Sequence, residues 1–182
     1  RPAEAAQAAS QVIERFPNNP LVIRVRAARA EALLAGGDPA GARRDFQALG
    51  LRAVDDNERF SFLLREADCL EAARDYAGAL ELLTSALSQE PAPVKSAPGV
   101  APIVAGGERY GQLTVRIGTV HLLAGRPEQA LAAYRNVLQD YPKTPLAAEA
   151  QFRIGYAHET SLDDFDAARL EYAKVRDQSV SS

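Results

Sequence analysis

Few side chains in this sequence have the type and spacing to do chemistry. Arg65, Arg116 and Arg153 fall at matching places in three helical stretches. A guanidinium there could fork onto a carboxylate or onto the backbone carbonyls of a partner. His121 and His158 stand 37 residues apart. Two imidazoles alone are an incomplete metal site, and no nearby cysteine or further histidine completes one. Their recurrence at a fixed interval reads as packing. Cys69, the single cysteine, excludes an internal disulfide and reads as a small buried hydrophobe. Asp163, Asp164 and Asp166 could suggest a cation loop, but they lack the calcium-loop spacing and its glycine. Acidic residues ahead of a helix favour its dipole, so capping is the better reading. There is no phosphate-cradling glycine loop and no nucleophile elbow. The expectation is no catalytic residue, no metal, no cofactor and no enzyme.

Composition points the same way. The 182 residues carry a formal net charge of −3, with 47% apolar and 25% charged residues. That balance argues against a strongly basic nucleic-acid surface. No apolar run is long enough to span a bilayer as a helix. Alanine is abundant, while glycine and proline fall mostly at breaks, which favours helices over strands.

The elements that must position these side chains are clearest from Gly111 to Pro142. Leu113, Ile117, Val120 and Leu123 have helical spacing, and so do Ala130, Leu131, Tyr134, Val137 and Leu138. The two runs meet at Ala124-Gly125-Arg126-Pro127. Pro127 suits a first helical position, where its missing N–H costs nothing. Pro142 ends the unit, because proline disfavours helix in the residue before it.

The rest of the chain repeats this unit. Ala5, Ala9, Val12 and Pro17 take the places of Ala130, Tyr134, Val137 and Pro142. Steps of 37 lead from Ala5 to Ala42 and Ala79, and from Ala9 to Phe46 and Leu83. Such a period marks a stacked array in which each unit covers its neighbour's apolar face. The reading is a single array over 1–182, excised from a longer protein. It divides into a lone second helix (1–20), repeats at 21–57 and 58–91, an insertion at 92–107, and repeats at 108–145 and 146–182. Gly36-Gly37 stops one helix, and Asp38-Pro39 caps and starts the next. Three prolines and three glycines in 92–107 bar a regular helix. That insertion is either a surface loop or an extended segment, Val100 to Val104, laid on the array. Gln178 to Ser182 reads as the start of a frayed connection.

Gly118 at a close-packing site, Ala130 and Tyr134 on the second helix, and the closing Pro142 resemble the tetratricopeptide repeat. The resemblance covers nearly the whole chain outside 92–107. It implies an all-α, right-handed α-solenoid of antiparallel helix pairs. The phrases ERFPNNPLVIRVRAARAEALLAGG and QDYPKTPLAAEAQFRIGYAHE are similar to repeats of bacterial cell-envelope proteins. That likeness implies a periplasmic or envelope address, with the cytoplasm as the alternative.

In this family the first helices line a concave groove that binds peptides or helices. The resemblance implies that Arg65 and Asp68 serve that groove, with Val115, Arg116 and Thr119 from the next unit and Phe152, Arg153 and Tyr156 from the last. Phe152 and Tyr156, four apart on one helical face, would supply an aromatic anchor. The plainer alternative for Arg65 is an ion pair with Asp68 at i,i+3, and for Tyr156 packing between helices. The lysines and asparagines of the chaperone-tail clamp found in some relatives are absent. The expected function is a non-catalytic scaffold with a protein or peptide partner, no nucleic acid and no membrane insertion. The alternatives are a structural spacer or self-association module, and, more weakly, an accessory domain of an enzyme.

Overall fold

The computed structural model describes residues 1–93 and 107–180. Nine α-helices and no strand occur among the described residues. They are α1 (Pro2–Arg15), α2 (Val22–Ala35), α3 (Pro39–Gly50), α4 (Asp56–Ala72), α5 (Tyr76–Leu87), α6 (Glu108–Leu123), α7 (Pro127–Asp140), α8 (Pro145–Ser161) and α9 (Phe165–Val180). The proposed segment Val100 to Val104 lies outside the described residues. α9 continues to Val180, so Gln178 to Val180 is helix where the sequence suggested a connection.

Helix starts follow the cap chemistry. The Asp38 carboxylate accepts from Gly41 N–H at 2.8 Å, with Pro39 opening α3. Asp55 accepts from Glu58 N–H at 2.8 Å, while Glu58 reaches back to Val54 N–H at 2.7 Å. Asp75, Thr144 and Asp164 cap α5, α8 and α9 in the same way. Each such bond satisfies one of the orphan N–H groups of a first turn. Gly37, at φ +85°, provides the left-handed residue between α2 and α3.

The chain forms two compact units, Arg1–Ala79 and Leu80–Ser182. In the first, α1 packs on α2, α2 on α3 and α3 on α4. Its core holds Ala30, Ala42, Phe46, Leu49 and Cys69. Asp45, buried on α3, is gripped by Arg29 of α2 through two bonds of 2.7 Å and approached by Arg26 at 3.3 Å. Arg29 also donates to Ser10 of α1 at 3.2 Å, so one guanidinium ties three helices. Those bonds to Asp45 raise the Arg29 pKa above its ordinary value, with burial opposing.

α1 departs from the simple repeat reading. Ala6 and Ala9 are buried, but Ala5 and Val12 are exposed. Their register mates Ala130 and Val137 are buried. α1 packs against α2, and its opposite face is uncovered.

In the second unit α6 packs on α7, α7 on α8, α8 on α9, and α6 touches α8. The core joins Val115 of α6, Ala130, Tyr134 and Val137 of α7, and Ala150, Ile154 and Ala157 of α8. Gly118 allows a close approach: a Cβ there would lie 2.5 Å from the Tyr134 ring. Gly155 does the same for Tyr172 of α9, at 2.6 Å. The pairs α6/α7 and α8/α9 therefore share one packing contact, a ring laid on a glycine.

Candidate protein-binding surface

The arginines expected to grip a partner are already engaged within the chain. Arg65 donates to Asp68 at 2.7 Å and to Glu31 at 2.8 Å, with a second bond from its other terminal nitrogen to Glu31. Its guanidinium carbon stands 5.5 Å from the centre of the Phe46 ring, within cation–π range. Arg65 and Asp68 thus form a clamp between α2 and α4 inside the first unit. Glu31 is the residue that sequence reading missed. The available signal was its place 34 residues before Arg65, about one repeat upstream.

Arg116 and Thr119 are on α6 and Phe152, Arg153 and Tyr156 on α8, all in the second unit. Arg116 is half-buried. Arg153 holds Glu149, one turn earlier, at 2.9 and 2.7 Å. Thr119 donates to Val115 C=O at 3.1 Å and accepts from the Tyr134 hydroxyl at 3.3 Å. Burial raises the Tyr134 phenol above its ordinary pKa, against the bond to Thr119 and the nearby Arg153. Thr119 therefore serves the α6/α7 packing.

Val115 needs correction. It is 2% exposed and sits in the core with Ala150 and Ile154 of α8. The following first helix covers it, so it packs and is not presented to a partner.

Phe152 and Tyr156 keep an open face. They are 51% and 47% exposed on successive turns of α8. Phe152 also meets Tyr172 of α9, with ring centroids 5.3 Å apart and planes tilted by 37°. The Tyr172 hydroxyl donates to Glu159 at 2.7 Å. Burial first, then that hydrogen bond, pushes its pKa up to about 12. Tyr172 thus extends the aromatic surface, although spacing alone matched it with the core residue Tyr134. The result is an apolar ledge of three rings with carboxylate and guanidinium groups along its edge. Such a ledge suits an aromatic-anchored protein contact.

His121 and His158 are both half-buried. Burial lowers the His121 pKa, assisted by Arg126. His158 Nδ1 lies 3.9 Å from Asp164. Among the described residues, no three His, Cys, Asp or Glu side chains gather as a metal site. No described helix is long and apolar enough to cross a membrane.

Residues 115–179 match the sequence model of the tetratricopeptide repeat family. That match lies within the second unit, α6 to α9. Comparison with curated protein sequences gave no match. Among solved structures, a Podosopora anserina putative kinesin light chain with nearly identical TPR-like repeats is similar at a TM-score of 0.66 and 14% identity. That match covers 99% of this chain and 88% of the other. MamA from Desulfovibrio magneticus RS-1 is similar at a TM-score of 0.58 and 16% identity, over 100% and 87%. BtubC from P. vanneervenii is similar at 0.60 and 12%, over 97% and 72%. At these identities the likeness is one of fold: an all-α tetratricopeptide solenoid built of helix pairs. Tetratricopeptide repeats are in general protein–protein interaction scaffolds and are typically non-enzymatic.

Proposed function

We propose that the chain is a non-catalytic scaffold that binds a peptide or helix of another polypeptide on the face of its first helices. In the second unit Phe152 and Tyr156 are the anchors, and Arg153 with Glu149 forms the polar edge. The single observation that carries this is the half exposure of two aromatic rings on adjacent turns of α8. Leaving such rings in water forgoes burial worth about 1.5–3 kcal/mol for a large apolar side chain. A partner that covers them recovers that free energy. Arg65 and Asp68 contribute to the first unit mainly by joining α2 to α4.

The test is a peptide-display selection on the intact chain, followed by affinity measurement on the selected peptides. Phe152→Ala/Tyr156→Ala should weaken binding by about tenfold or more, the loss of one or two aromatic anchors. Leu51→Ala alters an exposed side chain elsewhere and should leave affinity unchanged. Equal affinities for wild type and the double variant would contradict the reading.

A further inference from the structure

The chain has two histidines, and both stand near a turn between paired helices of the second unit. Histidine is the side chain whose ordinary pKa makes it change charge between about pH 5 and 8. The two sites are built alike. Arg126 N–H donates to His121 C=O at 2.9 Å, and Asp164 N–H donates to His158 C=O at 3.0 Å. Arg126 is the N-cap of α7, and Asp164 caps α9. Nδ1 of each imidazole is buried without a hydrogen-bond partner among the described residues. The charge at the cap differs. At His121 it is the Arg126 guanidinium, which assists burial in lowering the pKa from 6.5. At His158 it is the Asp164 carboxylate. One oxygen accepts from Ala167 N–H at 3.0 Å, and the other faces His158 Nδ1 at 3.9 Å.

Further charged groups stand on the neighbouring elements. Asp163 lies in the α8–α9 turn and Asp166 in the first turn of α9. Leu33, 125 residues before His158, shares a groove with Ala3 and Ser10 of α1. The same step brings Glu128 and Arg135 of α7 to the His158 side of α8. Glu128 also belongs to the first turn of α7, beside the His121 joint. α8 meets α6 on the Val115 face, and its Glu149 and Arg153 hold each other.

We infer that the two hairpins of the second unit answer acid in opposite senses. A protonated imidazole carries N–H on both nitrogens. At His158 the added Nδ1–H meets the free oxygen of Asp164 and ties the end of α8 to the cap of α9. At His121 the added charge is buried beside a cation. The His158 pair exists only in the folded chain, so its stability is present in acid and is lost once His158 deprotonates. The His121 contribution has the other sign: it is present above 6.5 and is lost as pH falls below that value. Acid thus holds α9 on α8 and loosens α7 from α6.

Amide hydrogen exchange on the intact chain, corrected for the intrinsic rate at each pH, tests this. From about pH 7.5 to about 5.5, α9 should open about two- to fivefold less often, the range of a partly exposed ion pair. Over the same interval α7 should lose protection. Asp164→Asn keeps a capping oxygen and removes the charge. In that variant the α9 response should vanish while the α7 response stays. His121→Gln should do the converse, and Glu128→Gln should leave both responses in place. If Asp164→Asn unfolds α9, His158→Gln tests the same pair through its other member. The inference is overturned by α9 protection that does not rise in acid, by an unchanged α9 response in Asp164→Asn, or by α7 and α9 loosening together.

Discussion

Tyr134 and Arg153 are near neighbours with different work to do. The Tyr134 ring is fully buried on Gly118 and carries the core between α6, α7 and α8. Replacing it with alanine should cost about 3–5 kcal/mol, the usual loss for a large buried aromatic. The Arg153–Glu149 pair is partly exposed, so Arg153→Ala should change stability by no more than about 1 kcal/mol. Denaturant unfolding of both variants checks the contrast, and equal losses would contradict it. Cys69 offers a second check. Burial, assisted by Asp68, pushes its thiol from 9.0 up to about 11. The folded state therefore holds this proton more tightly than the unfolded state does. The resulting stability is full below pH 9 and is lost as pH rises through about 11. Wild type should lose more stability over that window than Cys69→Ala. Alkylation of native Cys69 near pH 8 should also be far slower than that of the unfolded chain.

At the scale of helices, local spacing and long-range contact separate clearly. Gly118 with Tyr134, Asp38 with Pro39 and Asp164 before α9 were legible because each motif is confined to one hairpin. The burial of Val115 was not. Val115 and Phe152 occupy the same position of a first helix, and only the arrival of α8 makes one core and leaves the other open. The Arg65–Glu31 bond was missed for a similar reason: an ion pair between helices depends on tertiary approach. The exposure of Ala5 and Val12 has the same origin, since periodicity shows which side chains share a face but not what covers it. Asp45 with Arg29 and Arg26 is a buried polar tie between helices. Asp45→Ala should cost up to about 3 kcal/mol, the low end for breaking a buried pair, because both arginines keep some contact with water. Thermal unfolding would show it, and an unchanged midpoint would mean that the tie between α2 and α3 adds little.

For the whole molecule, the repeat period already pointed to an all-α array of helix pairs. The tetratricopeptide match over residues 115–179 and the similarity of fold agree with that reading. What the sequence left open was which first-helix side chains face outward. Phe152 and Tyr156 of α8 are about half exposed, whereas Val115 is core and Arg65 is engaged by Glu31 and Asp68. Photocrosslinking tests this most directly. p-Benzoylphenylalanine placed at Tyr156 keeps an aromatic ring on the ledge, and the same group at Leu51 probes an exposed site on the other unit. With a selected peptide bound, the account predicts a covalent adduct from position 156 and none from position 51. An adduct from position 51 with none from position 156 would contradict it.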